Sequence, residues 1–184
     1  MLDRFEELVD GLNHPEGVAW SPFDACVYAG GEGGELYRIS LDGAVELLGS
    51  SGGSMLGICV DGNNRVYACD ADRGEVVRMD PSTRVVETYA RGVDSEDLDT
   101  PNVAAFDAAG NLYVGCYEPS QVLRIDPQGR VEVLFRELSA HLLAHPTNLA
   151  FRGTTMFTAN LGRWHLTRLE VGAEGLALPP GGWR

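Results

Sequence analysis

The sequence predicts an all-β fold made of four repeated units, and two kinds of landmark residue support this. An aromatic residue in an apolar strand is followed about ten residues later by an arginine in the next strand. The aromatic residues recur at intervals of 39, 46 and 44, and the arginines at 40, 46 and 44. The landmarks are Tyr28, Tyr67, Tyr113 and Phe157, and Arg38, Arg78, Arg124 and Arg168. Because the two independent series recur at nearly the same intervals, we infer a repeat of about 40 residues.

Each unit contains four short strands separated by turns rich in Gly, Pro, Asn and Asp. In the first unit we expect strands near residues 16–20, 26–30, 35–40 and 44–48, and the other units repeat this order. Four strands per 40-odd residues are typical of a β-propeller blade. The sequence therefore predicts one propeller domain, residues 1–184, of four-stranded antiparallel blades at about 13–50, 51–92, 98–136 and 143–180. The last strand of the fourth unit, "LALP", is the weakest.

Composition and charge exclude several classes of protein. Hydrophobic residues make up 44% of the 184 residues, which argues against disorder, and no apolar run is long enough for a transmembrane helix. The acidic first ten residues lack the apolar segment of a signal peptide, so we expect a cytoplasmic protein. The net charge of −13, with no lysine, disfavours nucleic-acid and membrane partners and favours cations. Solubility is the simpler explanation of this acidity.

Several sulfur-containing and aromatic residues are expected to be structural. The four cysteines lie beside apolar strand residues without a CxxC pair, which favours small buried side chains over zinc ligands or disulfides. They are Cys26, Cys59, Cys69 and Cys116. We expect Trp20, Phe106 and Trp164 to belong to the apolar core between blades.

The candidate site lies where the innermost strand of each blade begins, because these starts converge at one mouth of a propeller's channel. The units align on the bulky residue that ends the first strand: Trp20, Val60, Phe106 and Phe151. Four residues earlier stand Glu16, Leu56, Asn102 and Thr147, and all but Leu56 follow a proline. Carboxylate and amide oxygens suit Ca²⁺ or Mg²⁺. Capping of loose backbone groups at strand-entry turns is an equal alternative.

Longer motifs resemble the senescence-marker-protein/gluconolactonase/luciferin-regenerating (regucalcin-like) family. "GLNHPEGVAW" is similar to its opening blade, "DTPNVAAFDAAGNLYVGCYEPSQVLRIDPQGRVEVL" to a later blade, and "AHPTNLAF" with "TANLGRWHLTRLEVGAEGLALP" to its closing blade. The resemblance implies that Glu16 and Asn102 bind a divalent cation, Ca²⁺ before Mg²⁺, Zn²⁺ or Mn²⁺. It implies hydrolysis of a lactone or related, sugar-acid-like ester.

The chain departs from this family in length. The family's propellers have six blades, whereas four units are present here, and the gap is expected near residues 91–98. Among the four aligned positions, Glu16 and Asn102 are the metal-ligand candidates that remain. No residue of this sequence matches the general base of the family's lactonases. Thr147, Asn148 and Asp70 are further candidates for metal or substrate contacts, although Asn148 is one residue out of register. A solvated loop is the simpler explanation for Asp70 and its neighbour Asp72.

Two functions therefore stay open. The first is a metal-dependent lactone hydrolase with reduced or lost activity, and the second is a non-catalytic binding scaffold or incomplete family member. A virginiamycin-lyase-like propeller is a remoter alternative. His14 and His145 precede prolines at equivalent places and could meet where the ring closes, although a turn or packing role is the simpler explanation. If four blades leave the ring open, we expect a homodimer to cover the exposed blade edges.

Overall fold

The computed structural model describes residues 7–92 and 98–176. Every regular secondary-structure element in these two ranges is a β-strand. In chain order they are β1 (Val18–Ser21), β2 (Cys26–Gly30), β3 (Glu35–Ser40), β4 (Val45–Ser50), β5 (Met55–Val60), β6 (Val66–Asp70), β7 (Glu75–Asp80), β8 (Val85–Ala90), β9 (Pro101–Phe106), β10 (Leu112–Cys116), β11 (Gln121–Ile125), β12 (Val131–Arg136), β13 (Pro146–Arg152), β14 (Thr155–Asn160) and β15 (His165–Glu170). The predicted strands of the first unit are correct to within two residues.

The strands form four antiparallel meanders, which we call blades 1 to 4. Strands β1–β4, β5–β8 and β9–β12 form four-stranded sheets, and β13–β15 form a three-stranded sheet within the described residues. The predicted all-β propeller is therefore confirmed. Most of the fourth strand expected in the last unit lies outside the described residues, as does most of the gap expected at 91–98. In the described ranges no helix could cross a membrane.

Consecutive blades meet through their innermost strands, and two glycines allow the close approach. A Cβ atom on Gly17 would lie 1.7 Å from the carbonyl oxygen of Leu56, and one on Gly57 would lie 2.6 Å from that of Asn102. Glycine is therefore required at both positions. Strand β1 packs on β5, β5 on β9 and β9 on β13, whereas no comparable packing joins β13 to β1. Among the described strands, the ring of four blades is therefore open at this point.

Apolar clusters between neighbouring blades form the core, and each contains the landmark tyrosine of the earlier blade. Each tyrosine also finds a polar partner, because an aspartate in the preceding turn accepts its hydroxyl. In blade 2, Tyr67 Oη donates to Asp61 Oδ2 at 3.2 Å. Asp61 Oδ1 accepts the backbone N–H groups of Asn63 and Arg65, both at 2.9 Å. The same carboxylate thus shapes the turn and satisfies the buried phenol.

The expectation that Trp20 and Trp164 are core residues is wrong. Trp20 is 49% exposed, because none of the described blades packs on its face of blade 1. Trp164 is 92% exposed and lies in the turn between β14 and β15. Phe106, between blades 2 and 3, is buried as expected. The four cysteines carry no disulfide, and all but the half-buried Cys59 are buried.

Candidate functional site

The starts of the four innermost strands line one cavity of about 360 Å³ at a mouth of the channel. The structure brings four of the five candidate site residues, all but Asp70, together in this cavity. Its lining includes Glu16, Leu56, Asn102, Thr147 and Asn148. Leu56 occupies the place that an oxygen-bearing side chain takes in the other three blades.

Three of these polar side chains have no polar partner among the described residues. Within residues 7–92 and 98–176, no hydrogen bond or ion pair engages the side chain of Glu16, Asn102 or Thr147. Asn148 differs, since its Oδ1 accepts the backbone N–H of Leu149 at 2.9 Å. The capping role considered for the strand-entry residues therefore applies to Asn148 and leaves the other three available to a ligand.

The donor set suits a divalent cation but is sparse. Glu16 offers one exposed carboxylate, and the half-buried Asn102 and Thr147 offer an amide carbonyl and a hydroxyl. All are hard oxygen donors, and Ca²⁺ takes six to eight of them. No cluster of three or more His, Cys, Asp or Glu side chains suited to a metal occurs in the described parts of the chain. A cation held here would keep most of its water.

Asp70 is placed differently from the expectation of a solvated loop. It ends β6, is fully buried, and is absent from the lining of the Glu16 cavity. Its Oδ1 accepts the backbone N–H of Arg73 at 3.0 Å, while Oδ2 has no hydrogen-bond partner in the described part of the chain and lies 3.9 Å from Arg73 Nε. Burial raises the pKa of this carboxyl above its ordinary value. Asp72 is exposed, as a loop residue should be, and accepts the backbone N–H of Ser54.

Sequence reasoning missed Glu75, the buried carboxylate paired with Asp70 across β6 and β7. Glu75 accepts Arg73 Nε at 2.6 Å, Arg91 Nε at 2.7 Å and Thr88 Oγ1 at 3.0 Å. Burial alone would raise its pKa, but the hydrogen bonds from Arg91 and Thr88 outweigh burial and lower it. A repeat signal was available, because the third strand of every blade begins with a polar residue. These residues are Glu35, Glu75, Gln121 and His165.

The two histidines that precede prolines have separate partners. His145 stacks on Tyr117 with ring centroids 4.5 Å apart, and its Nδ1 lies 2.7 Å from the Tyr117 carbonyl oxygen. His14 lies beside Glu32, with 3.4 Å between Nδ1 and a carboxylate oxygen. The φ angle is 46° at His14 and 54° at His145, and such positive values are expected for turn residues. Since the ring is open, they do not form a joint site.

A second cavity, of about 370 Å³, lies at the opposite ends of the innermost strands, between blades 2 and 3. Its carboxylates are Asp61 and Asp107, and both already accept hydrogen bonds within their own turns. Asp61 also pairs with Arg65, whose Nη2 lies 2.7 Å away. This cavity therefore offers a ligand no free acidic group comparable to Glu16.

Solved structures with the same fold include enzymes and a designed protein. A gluconolactonase from Xanthomonas campestris superposes with a TM-score of 0.77 at 21% identity, over 95% of this chain and 66% of that chain. Virginiamycin B lyase from Staphylococcus aureus superposes with a TM-score of 0.62 at 12% identity, over 85% of this chain and 55% of that chain. The computationally designed Ika4 protein superposes with a TM-score of 0.65 at 15% identity, over 92% of this chain and 100% of that chain. At these identities the likeness shows the fold alone.

The chain spans about two thirds of the length of that gluconolactonase. No curated protein matches the sequence. The family model described as SMP-30/Gluconolactonase/LRE-like region matches residues 3–160, which is most of the 184 residues. The chain therefore belongs to the SMP-30/gluconolactonase/LRE-like family.

Proposed function

We propose that the channel-mouth cavity binds a divalent cation weakly, Ca²⁺ in the first place, and that the chain hydrolyses lactones or related esters slowly. The observation that carries this proposal is that the side chains of Glu16 and Asn102 line one cavity and make no hydrogen bond with residues 7–92 or 98–176. Membership of a lactonase-containing family supports the reaction class.

The residues divide the work as follows. Glu16 supplies the one negative charge facing the cation, and Asn102 supplies a carbonyl oxygen. Thr147 and Asn148 are positioned to contact the cation or a lactone or sugar-acid-like substrate. A bound Ca²⁺ would supply Lewis-acid polarisation of the ester carbonyl.

Slow turnover follows from what the cavity lacks. Polarisation of a carbonyl depends on rigid placement of the charge beside it, and a cation held by one carboxylate and one amide is poorly fixed. Asp70 does not serve as general base here, because it is buried away from the cavity. With no assigned base, water attack gains little assistance.

The alternative is a non-catalytic scaffold that binds a small sugar-acid-like molecule at the same mouth. Leu56 favours this alternative, since an apolar side chain fills the fourth position of the ligand register. An apolar wall beside a few polar groups is typical of small-molecule binding sites.

Calorimetric titration with Ca²⁺, together with a gluconolactone hydrolysis assay, tests the proposal. We expect a dissociation constant on the order of 10⁻⁴ to 10⁻³ M for the native chain. Glu16→Gln should abolish Ca²⁺ binding and the residual hydrolysis, whereas Glu7→Gln, which removes an exposed carboxylate outside the cavity, should change neither. Binding without turnover would favour the scaffold. Absence of binding, or binding unaffected by Glu16→Gln, would overturn the site.

A further inference from the structure

Blade 4 lacks the fourth strand that the other three blades have, so the outer edge of β15 pairs with no described strand. After β15 the chain turns away from this edge. The backbone N–H of Gly175 donates to the Gly153 carbonyl oxygen at 2.9 Å, and that of Leu176 donates to the Phe106 carbonyl oxygen at 3.1 Å. An unpaired strand edge offers its backbone donors and acceptors to another strand.

A cross-strand ion pair joins the third strand to the fourth in each of the four-stranded blades. An arginine stands directly opposite a glutamate in all three. The pairs are Arg38–Glu46, with Nε 3.6 Å from a carboxylate oxygen, Arg78–Glu87, with Nη2 at 2.5 Å, and Arg124–Glu132. Opposite charges at directly opposed positions favour the pairing of two strands.

Arg168 is the member of this series that has no glutamate opposite it. Its one ion pair among the described residues is with Glu170 of its own strand, at 3.9 Å, and its side chain is 73% exposed. A strand that completed blade 4 in the register of the other blades would place a carboxylate opposite Arg168, as Glu46 is placed opposite Arg38.

The residues beside these glutamates also follow a pattern. Valine precedes each glutamate, and leucine, threonine or valine follows it. The triplets are Val45-Glu46-Leu47, Val86-Glu87-Thr88 and Val131-Glu132-Val133. In blades 2 and 3 these flanking side chains face the preceding blade. A Cβ on Gly49 of blade 1 would lie 3.0 Å from Val86 Cγ2, and Val131 and Val133 pack on the core between blades 2 and 3.

An open groove of about 400 Å³ lies between β12 and β15. The residues on either side of Arg168, which are Thr167 and Leu169, line this groove together with Leu134 and Phe135 of β12. In blade 3 the corresponding third-strand residues stand opposite the two valines of the fourth strand. The groove therefore offers apolar walls to the two side chains that would flank a glutamate opposite Arg168.

Two terminal stretches of this chain fit the open edge poorly. Residues 5–8, Phe-Glu-Glu-Leu, carry a glutamate after an apolar residue, but Leu8 lies beside blade 1. A Cβ on Gly43, in the last turn of blade 1, would lie 2.8 Å from the Leu8 carbonyl oxygen. Residues 177–184 contain two prolines and no acidic residue, so they offer Arg168 no carboxylate.

We propose that the open edge of blade 4 binds an extended segment of another protein, which adds to β15 as an antiparallel fourth strand. The segment carries a glutamate opposite Arg168 and a small apolar residue or threonine on each side of it. Backbone hydrogen bonds supply affinity in this mode of recognition, and alternate side chains supply specificity. Because the net charge of −13 repels acidic peptides in general, acceptance of a glutamate here depends on Arg168.

Fluorescence anisotropy with a labelled synthetic peptide tests the proposal. The peptide copies residues 44–50, whose glutamate stands opposite Arg38 in blade 1. We expect saturable binding to the full chain, weakened about tenfold or more by Arg168→Glu or by Glu46→Arg in the peptide. The two changes together should restore binding, because the charges are then reversed. Arg152→Glu makes the same charge change at an exposed residue of β13 in the same blade and should leave the affinity unchanged.

Hydrogen exchange locates the bound peptide. The amides of β15 should gain protection, and those of β4, β8 and β12 should not. Protection elsewhere, equal binding to Arg168→Glu, no rescue by the reversed pair, or no binding at millimolar peptide overturns the proposal. Circular dichroism checks the fold of each variant, and the peptide substitution keeps the test valid if Arg168→Glu does not fold.

The other possible occupants of the edge give different results. If removal of residues 1–6 raises the peptide affinity about tenfold, the chain's own N-terminal segment fills the edge. If the peptide dissociates a native dimer, as measured by sedimentation, a second copy fills it. Either result overturns the proposal, which expects the same affinity with and without residues 1–6 and a native chain whose oligomeric state the peptide does not change.

Discussion

Tyr113 and Phe151 meet edge to face across the junction of blades 3 and 4, with ring centroids 5.1 Å apart and ring planes at 79°. The phenol of Tyr113 also donates to Asp107 Oδ2 at 3.3 Å, so the ring is fixed from the turn of its own blade. Edge-to-face pairs add to the free energy of burial, and this junction joins the only three-stranded blade described to the rest of the ring.

Phe151→Ala should therefore lower the free energy of unfolding by about 2 to 3 kcal/mol, since the cavity it leaves lies inside a packed junction. Urea unfolding followed by fluorescence measures this loss, and it should not depend on protein concentration. Trp20→Ala is the matched comparison, at the same register on the uncovered face of blade 1. Its cost should be smaller, because Trp20 is 49% exposed and its removal leaves no enclosed cavity. An equal loss in both variants would contradict this contrast.

Glu75 anchors the loop between β6 and β7 through Arg73, and it holds the end of β8 through Thr88 and Arg91. Glu75→Gln should cost about 2 kcal/mol, because the buried network loses its negative charge and one of its two acceptor oxygens. Glu87→Gln is the control, since Glu87 pairs with Arg78 in a more exposed position and should cost less than about 1 kcal/mol. Denaturant midpoints at pH 7 measure both. A smaller loss in Glu75→Gln than in Glu87→Gln would show that burial does not strengthen this network.

The strands and the register of the candidate site could be predicted because both depend on local patterns. Turn residues mark the strand ends, and the four-residue offset before Trp20 and its counterparts places Glu16 and Asn102 at one cavity. The exposure of Trp20 could not be predicted from the sequence, because blade 1 has the same pattern of apolar residues as the blades whose corresponding face is covered. The burial of Asp70 depends on its pairing with Met55 across an irregular strand, which spacing alone does not reveal.

Asp70 should make stability depend on pH in the direction opposite to that of most carboxylates. Its pKa is raised by burial, so ionisation disfavours the folded state. The cost is present above the folded-state pKa and disappears below the ordinary Asp value of about 4. Asp70→Asn keeps an acceptor for the Arg73 N–H and should raise the urea midpoint at pH 7 by on the order of 0.3 M.

The gain from Asp70→Asn should shrink as the pH is lowered to 3, because the native carboxyl is then protonated. Asp72→Asn provides the comparison, since the exposed Asp72 accepts the Ser54 N–H and its replacement should be neutral or slightly destabilising. Urea titrations at several pH values decide the matter. A midpoint that falls in Asp70→Asn at pH 7 would mean that the buried carboxylate is stabilised by contacts other than those described.

Leu56 occupies the one position of the channel-mouth register that lacks an oxygen, and replacing it tests whether this deficit limits cation binding. Leu56→Asp adds a carboxylate to the cavity that holds Glu16 and Asn102, so Ca²⁺ affinity should rise about tenfold or more. Leu41→Asp adds the same charge to an exposed turn outside the cavity and should leave the affinity unchanged. Calorimetric titration at fixed ionic strength separates a local ligand from a general effect of acidity. Equal affinities for Leu56→Asp and the native chain would place the cation elsewhere, and equal gains in both variants would mean that bulk charge alone attracts it.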